Sequence, residues 1–167
     1  GIDVGSTTAK LVAVDENDNL LFSKYERHNA KAKETILSFL KELLSEIGDK
    51  DISVRITGSI GMGISEKCSL PFVQEVVAAA KAIQKDYSHV TSMIDIGGED
   101  AKVVFFNDAE ATDLRMNGNC AGGTGAFIDQ MAIILGVNID ELNQLAMNAT
   151  QVYPIASRCG VFCKTDI

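Results

Sequence analysis

Gly1-Ile2-Asp3-Val4-Gly5-Ser6-Thr7-Thr8-Ala9-Lys10-Leu11-Val12 opens the chain, and Met93-Ile94-Asp95-Ile96-Gly97-Gly98-Glu99-Asp100-Ala101-Lys102-Val103-Val104 repeats it 92 residues later without a gap. Ile, Asp, Gly, Ala, Lys and Val are identical at six of the twelve positions. Each copy reads as an apolar strand ending in Asp, a Gly turn and a second strand. Repetition at one fixed offset marks an internal duplication, with one unit per half, predicted here as 1–90 and 91–167. Either copy alone is readable as a plain hairpin turn. Two matched copies point to phosphate. Gly lets backbone N–H groups approach an anion with no side chain in the way. Ser6, Thr7 and Thr8 add hydroxyls, and Asp3 and Asp95 at the strand ends suit Mg²⁺ or its waters.

The rest of the chain fits an α/β fold. Alternating apolar residues predict strands over 1–5, 9–15, 20–26, 54–57, 93–96, 101–106 and 110–116. Ile36, Phe39, Leu40, Leu43, Leu44 and Ile47 recur at three- and four-residue spacing and predict a helix over 30–47, closed by Gly48. Further helices are predicted over 72–87, 126–135 and 140–149, with 58–63 as a Gly-rich connection. The 167 residues are 46% hydrophobic, enough for a folded core, and carry a formal net charge of −8. That charge argues against a nucleic-acid surface, which needs clustered Lys and Arg. No apolar run reaches the roughly 18 residues of a membrane span. The chain lacks Gly-x-x-x-x-Gly-Lys-Ser/Thr, so it is not of the P-loop type. Residue 1 is Gly and already lies in a strand pattern, so a longer parent chain is expected.

Four cysteines remain: Cys68, Cys120, Cys159 and Cys163. Cys120 precedes the Gly-rich run Ala121-Gly122-Gly123-Thr124-Gly125 that opens a predicted helix, where backbone N–H groups favour a thiolate. Cys159 and Cys163 lie in Ser157-Arg158-Cys159-Gly160-Val161-Phe162-Cys163. No Cys-x-x-Cys pair occurs. Spacing alone leaves a metal site and ordinary buried thiols both open.

The two hairpins, the stretch Asn119-Cys120-Ala121-Gly122-Gly123-Thr124-Gly125 and the stretch Ser157-Arg158-Cys159-Gly160-Val161-Phe162 together resemble, in order, the BadF/BadG/BcrA/BcrD ATPase family. These are activators of 2-hydroxyacyl-CoA dehydratases and relatives of benzoyl-CoA reductases. The resemblance spans nearly the whole chain. It implies the actin/sugar-kinase/Hsp70 fold, with duplicated ribonuclease-H-like units around a nucleotide cleft and a C-terminal part beyond Ile167. It implies an ATPase coupled to electron transfer, in the cytoplasm, with ATP, Mg²⁺ and a [4Fe–4S] cluster held by Cys120 and Cys159 across a homodimer. Ferredoxin or flavodoxin would donate electrons, and a dehydratase or reductase would accept them.

Under this reading Asp3, Asp95 and Glu99 are the catalytic set. Gly5, Ser6, Thr7, Thr8, Gly97 and Gly98 hold phosphates. Gly122, Gly123, Thr124 and Gly125 either touch the nucleotide or shape the helix start above the cluster, whose N-terminus would point at it. Cys163 and Glu99 depart from the family's usual small residue and Gln. Cys68 matches no ligand position and is read as structural. The rivals are a small-molecule kinase of the same superfamily and a non-catalytic nucleotide-binding scaffold. Neither gives the two cysteine stretches a role.

Overall fold

The computed structural model describes residues 1–107, 110–118, 120–155 and 159–167, without the side chains of 110–112 and 161. The chain forms two compact units, Gly1–Ser88 and His89–Ile167.

The first unit is built on a four-stranded sheet in the order β3-β2-β1-β4. Its strands are β1 (Ile2–Val4), β2 (Thr8–Val14), β3 (Leu20–Arg27) and β4 (Ile56–Thr57). The first three run antiparallel in sequence order, and β4 returns beside β1 in parallel, pairing Ile2 with Ile56 and Asp3 with Thr57. Helix α1 (Ala32–Ile47) makes the crossover that a parallel return requires. The two periodicities meet in one core. Ile2, Val4, Ala9, Leu11 and Phe22 are strand residues in period two, and Ile36, Phe39 and Leu43 form the helix stripe that packs on them. Helix α1 ends at Gly48, whose φ of 74° is the left-handed region that glycine enters without strain.

Helix α2 (Ser59–Cys68) replaces the predicted Gly-rich connection. Three glycines in 58–63 argue against a helix on propensity, but packing overrides it. At Gly61 an added Cβ would come within 2.9 Å of Ile56, so the helix lies directly on the sheet edge. Helix α3 (Glu75–Asp86) starts three residues later than the predicted 72, and its Lys85 pairs with Asp18.

The second unit carries β5 (Ser92–Ile96), β6 (Ala101–Asn107) and β7 (Glu110–Asn117) in one antiparallel sheet of that order. The register Ile94↔Val103, Asp95↔Lys102, Ile96↔Ala101 reproduces Ile2↔Leu11, Asp3↔Lys10, Val4↔Ala9 pair for pair. The environments differ. Strand β1 has neighbours on both sides and Ile2 is 8% exposed, whereas β5 is a sheet edge and Ile94 is 70% exposed. A 3-10 turn (Ala121–Gly123) leads into α4 (Gly125–Leu135). Helix α5 (Ile139–Met147) begins with a reciprocal cap between Asn138 and Glu141, and α6 (Gly160–Cys163) is a single turn. Among the described residues no helix is long and apolar enough to cross a membrane.

Phe39 is fully buried beneath the first sheet. Phe39→Ala is expected to lower stability by about 3–5 kcal/mol. Urea unfolding measures this, and a loss under about 1 kcal/mol would place α1 elsewhere.

Candidate functional site: two Asp–Gly hairpins and two cysteine turns

The first hairpin joins β1 to β2 through residues 5–8. The Gly5 N–H donates to the Thr8 carbonyl at 3.0 Å and closes the turn. Ser6 is exposed, Thr7 and Thr8 are half-buried, and the Ser6 and Thr7 hydroxyls lie 3.5 Å apart. Asp3, at the end of β1, accepts a hydrogen bond from the Lys10 ammonium at 2.7 Å. Partial burial pulls the Lys10 pKa down, but the hydrogen bond and charge of Asp3 outweigh it and leave it raised. The Asp3 carboxylate also lies against Gly58. A Cβ there would stand 2.6 Å from Asp3 Oδ1 and 2.4 Å from the Val4 carbonyl oxygen, and Gly58 has φ of 91°. Only glycine fits this join between β4 and α2.

The second hairpin repeats the first at residues 97–100. The Gly97 N–H donates to the Asp100 carbonyl at 2.9 Å. Lys102 is buried between two carboxylates, with its Nζ 2.8 Å from Asp100 Oδ2 and 3.7 Å from Asp95 Oδ2. Exposed ion pairs contribute little, but a buried cation stripped of its carboxylates is costly, so the pairing fixes the three groups in place. Glu99 is exposed at the tip. Lys10 and Lys102 thus belong with the site residues that sequence reasoning left out. Their identical place in the repeat was the available signal, because cross-strand partners in one register share a face.

The Gly-rich stretch meets this second hairpin. Gly125 N–H donates to the Gly97 carbonyl at 2.8 Å and Ala126 N–H to the Gly98 carbonyl at 3.0 Å. An added Cβ at Gly125 would lie 3.1 Å from that Gly97 oxygen, so a larger residue would press the two apart by a few tenths of an ångström. The first donors of α4 therefore go to the hairpin, not to the thiols as the sequence led one to expect. Thr124 is 1% exposed and its hydroxyl donates to the Ala121 carbonyl at 2.8 Å.

Both predicted ligand cysteines stand just before a helical turn in extended backbone, Cys120 at φ −147° and Cys159 at φ −150°. Cys120 Sγ accepts from the Gly122 N–H at 3.4 Å. The two turns touch through glycine. At Gly160 an added Cβ would lie 2.5 Å from Gly122 Cα, and at Gly122 it would lie 3.0 Å from Gly160 N. All four thiols are free, with Cys120 exposed, Cys159 half-buried and Cys163 buried one turn beyond Cys159. Cys68 is exposed at the end of α2 in the other unit, so it does not fill a core position. Asn119, Ser157 and Arg158 lie outside the described residues. Among the described residues no three His, Cys, Asp or Glu side chains gather to hold a metal ion.

The model of the BadF/BadG/BcrA/BcrD ATPase family matches residues 1–167. The chain belongs to this family. It is 28% identical over 169 residues to the (R)-2-hydroxyglutaryl-CoA dehydratase activating ATPase of Acidaminococcus fermentans, covering all of this chain and 65% of that protein. It is 31% identical over 180 residues to the 2-hydroxyisocaproyl-CoA dehydratase activator of Clostridioides difficile, covering 63% of that protein. A solved structure of the C. difficile activator with bound ADPNP superposes with a TM-score of 0.86 at 30% identity, over 99% of this chain and 62% of that one. The chain thus spans a little under two thirds of the length of these relatives. Its α/β fold is that of the actin/sugar-kinase/Hsp70 type.

The glycine contact between the cysteine turns is open to test. Gly160→Ala is expected to cost about 1–3 kcal/mol by overpacking. Gly123→Ala, whose added Cβ meets nothing within 4 Å, is expected to cost under about 1 kcal/mol. Chemical denaturation compares them, and equal losses would contradict the packing.

Proposed function

We propose that the full-length protein is an ATP-hydrolysing iron–sulfur activator that delivers low-potential electrons to a 2-hydroxyacyl-CoA dehydratase or a benzoyl-CoA reductase-like partner. The observation that carries this reading is the glycine contact of Gly122 with Gly160, which seats the Cys120 and Cys159 turns side by side within one unit. The names of the dehydratase activators among its relatives support the partner class.

The donor set fits the groups this function needs. Two free thiols on adjoining turns suit a cluster ligated by sulfur, and the Gly122 N–H donates to Cys120 Sγ. A [4Fe–4S] cluster takes four thiolates, so Cys120 and Cys159 of two chains would share one at a homodimer axis. Bound there, it would store and pass one electron at a time from ferredoxin or flavodoxin to the partner. Asp3 and Asp95 offer the hard oxygens that Mg²⁺ or its water shell takes, each held by its lysine.

The chain's own residues divide the remaining work. Each hairpin opens one of two ribonuclease-H-like units, 1–90 and 91–167. Gly5, Ser6, Thr7 and Thr8 in the first and Gly97 and Gly98 in the second bind phosphate by backbone N–H and hydroxyl. Phosphoryl transfer asks mainly for positioning and charge, which these groups supply. Glu99 orients the attacking water from the hairpin tip. Gly122, Gly123, Thr124 and Gly125 shape the start of α4 and its join to the second hairpin, so nucleotide-dependent movement of residues 97–98 reaches the Cys120 turn.

Two outcomes test this in anaerobically purified full-length protein. About two irons per chain are expected, from four per cluster. They are lost in Cys120→Ser or Cys159→Ser and kept in Cys68→Ser or Cys163→Ser. Four irons per monomer, or full iron in Cys120→Ser, would refute the shared cluster. Asp95→Ala is expected to lose ATP turnover by at least about a hundredfold while keeping its iron, because it removes a positioning charge rather than a thiol. Unchanged turnover would remove Asp95 from the site.

A further inference from the structure

We propose that His28 is a positioning residue of the first hairpin, holding the Gly5 carbonyl so that the Ser6 N–H faces the phosphate. The inference rests on the phosphate-binding reading of that hairpin. His28 directly follows β3 and is 4% exposed. Its Nε2 lies 3.0 Å from the Gly5 carbonyl oxygen. A carbonyl oxygen only accepts, so Nε2 carries the hydrogen and donates. Nδ1 is buried with no hydrogen-bond partner among the described residues, so this one bond accounts for the polar business of the ring. The His28 backbone N–H donates to the Thr7 carbonyl at 3.2 Å, giving the residue two holds on one turn.

The geometry of the peptide unit makes these holds matter. A trans peptide carries its C=O and the following N–H on opposite sides of one plane. Drawing the Gly5 carbonyl towards His28 turns the Ser6 N–H the other way, and drawing the Thr7 carbonyl does the same for the Thr8 N–H. The second hairpin solves the same problem with different parts. There the carbonyl at the equivalent position, Gly97, accepts from the Gly125 N–H at the start of α4. His28 thus supplies by side chain what the second unit supplies by a helix terminus. The chain beyond His28 is bent to keep it there. Asn29 and Ala30 both take positive φ, 47° and 62°, a region non-glycine residues rarely occupy, and Lys31 N–H closes the turn on the His28 carbonyl at 2.7 Å.

Steady-state ATP hydrolysis and analogue binding by the full-length protein test this with three variants. His28→Leu removes the donor. His28→Gln restores an N–H at the reach of Nε2. His28→Asn keeps a small amide whose N–H stops short at the Nδ1 position, and it stands in for His28→Leu should that variant not fold. His28→Leu and His28→Asn are expected to raise KM for ATP about tenfold, the value of a lost buried hydrogen bond. Their kcat should stay within about twofold, because ground-state phosphate binding is what is lost. His28→Gln is expected to bind within about threefold of the unmodified protein, since the N–H is restored. Wild-type affinity in His28→Leu or His28→Asn overturns the proposal. So does a His28→Gln as weak as either, which would make shape the role of the ring. An unmodified protein that binds no ATP overturns the phosphate reading itself.

Discussion

A peptide loop that offers its N–H groups to an anion must have its carbonyls taken up from behind, because the two point opposite ways across each trans peptide. Both hairpins of this chain meet that constraint. In the first, the Gly5 carbonyl goes to the His28 ring and the Thr7 carbonyl to the His28 backbone. In the second, the Gly97 and Gly98 carbonyls go to the first N–H groups of α4. Across each trans peptide the donors opposite these carbonyls are those of Ser6, Thr8, Gly98 and Glu99. Around this arrangement each Asp at a strand end is paired with the Lys opposite it, in the same register in both units. The ammonium holds the carboxylate in place without occupying the loop.

In the second unit the same constraint ties the hairpin to the cysteine turns. Helix α4 cannot satisfy the hairpin carbonyls without beginning against them, and the 3-10 turn that precedes it is capped by Cys120. That turn in turn packs, glycine against glycine, on the one that follows Cys159. Close backbone contacts are stiff, since interiors are densely packed and transmit small displacements. Under the proposed function, a shift of residues 97–98 on phosphate binding or release would move the Cys120 turn, and through Gly122 and Gly160 the Cys159 turn. This is the material path that the proposed activator function requires within the unit.

The duplication was legible at once, because two hairpins with the same strand–Gly–strand grammar keep it in sequence and in register. The strand and helix periods of the first core were legible too, since Ile2, Val4, Leu11, Ile36, Phe39 and Leu43 all face one interior. What escaped depends on tertiary packing. Helix α2 forms through glycines that propensity counts against, because Gly61 lies on Ile56 and Gly58 on Asp3. The two lysines were readable as phosphate contacts or as exposed strand charges, and only the register pairs them with the aspartates. His28 carried no motif, being a lone histidine whose partner lies 23 residues earlier in the chain. The start of α4 read as a cap for the cluster, since nothing in a linear sequence says which neighbour will take its N–H groups.

Amide hydrogen exchange on the full-length protein, with and without a non-hydrolysable ATP analogue and Mg²⁺, tests whether both hairpins bind phosphate by backbone. The amides of Ser6, Thr8, Gly98 and Glu99 are expected to slow together when the analogue binds. Slowing at one hairpin alone, or at neither while the analogue is bound, would contradict it.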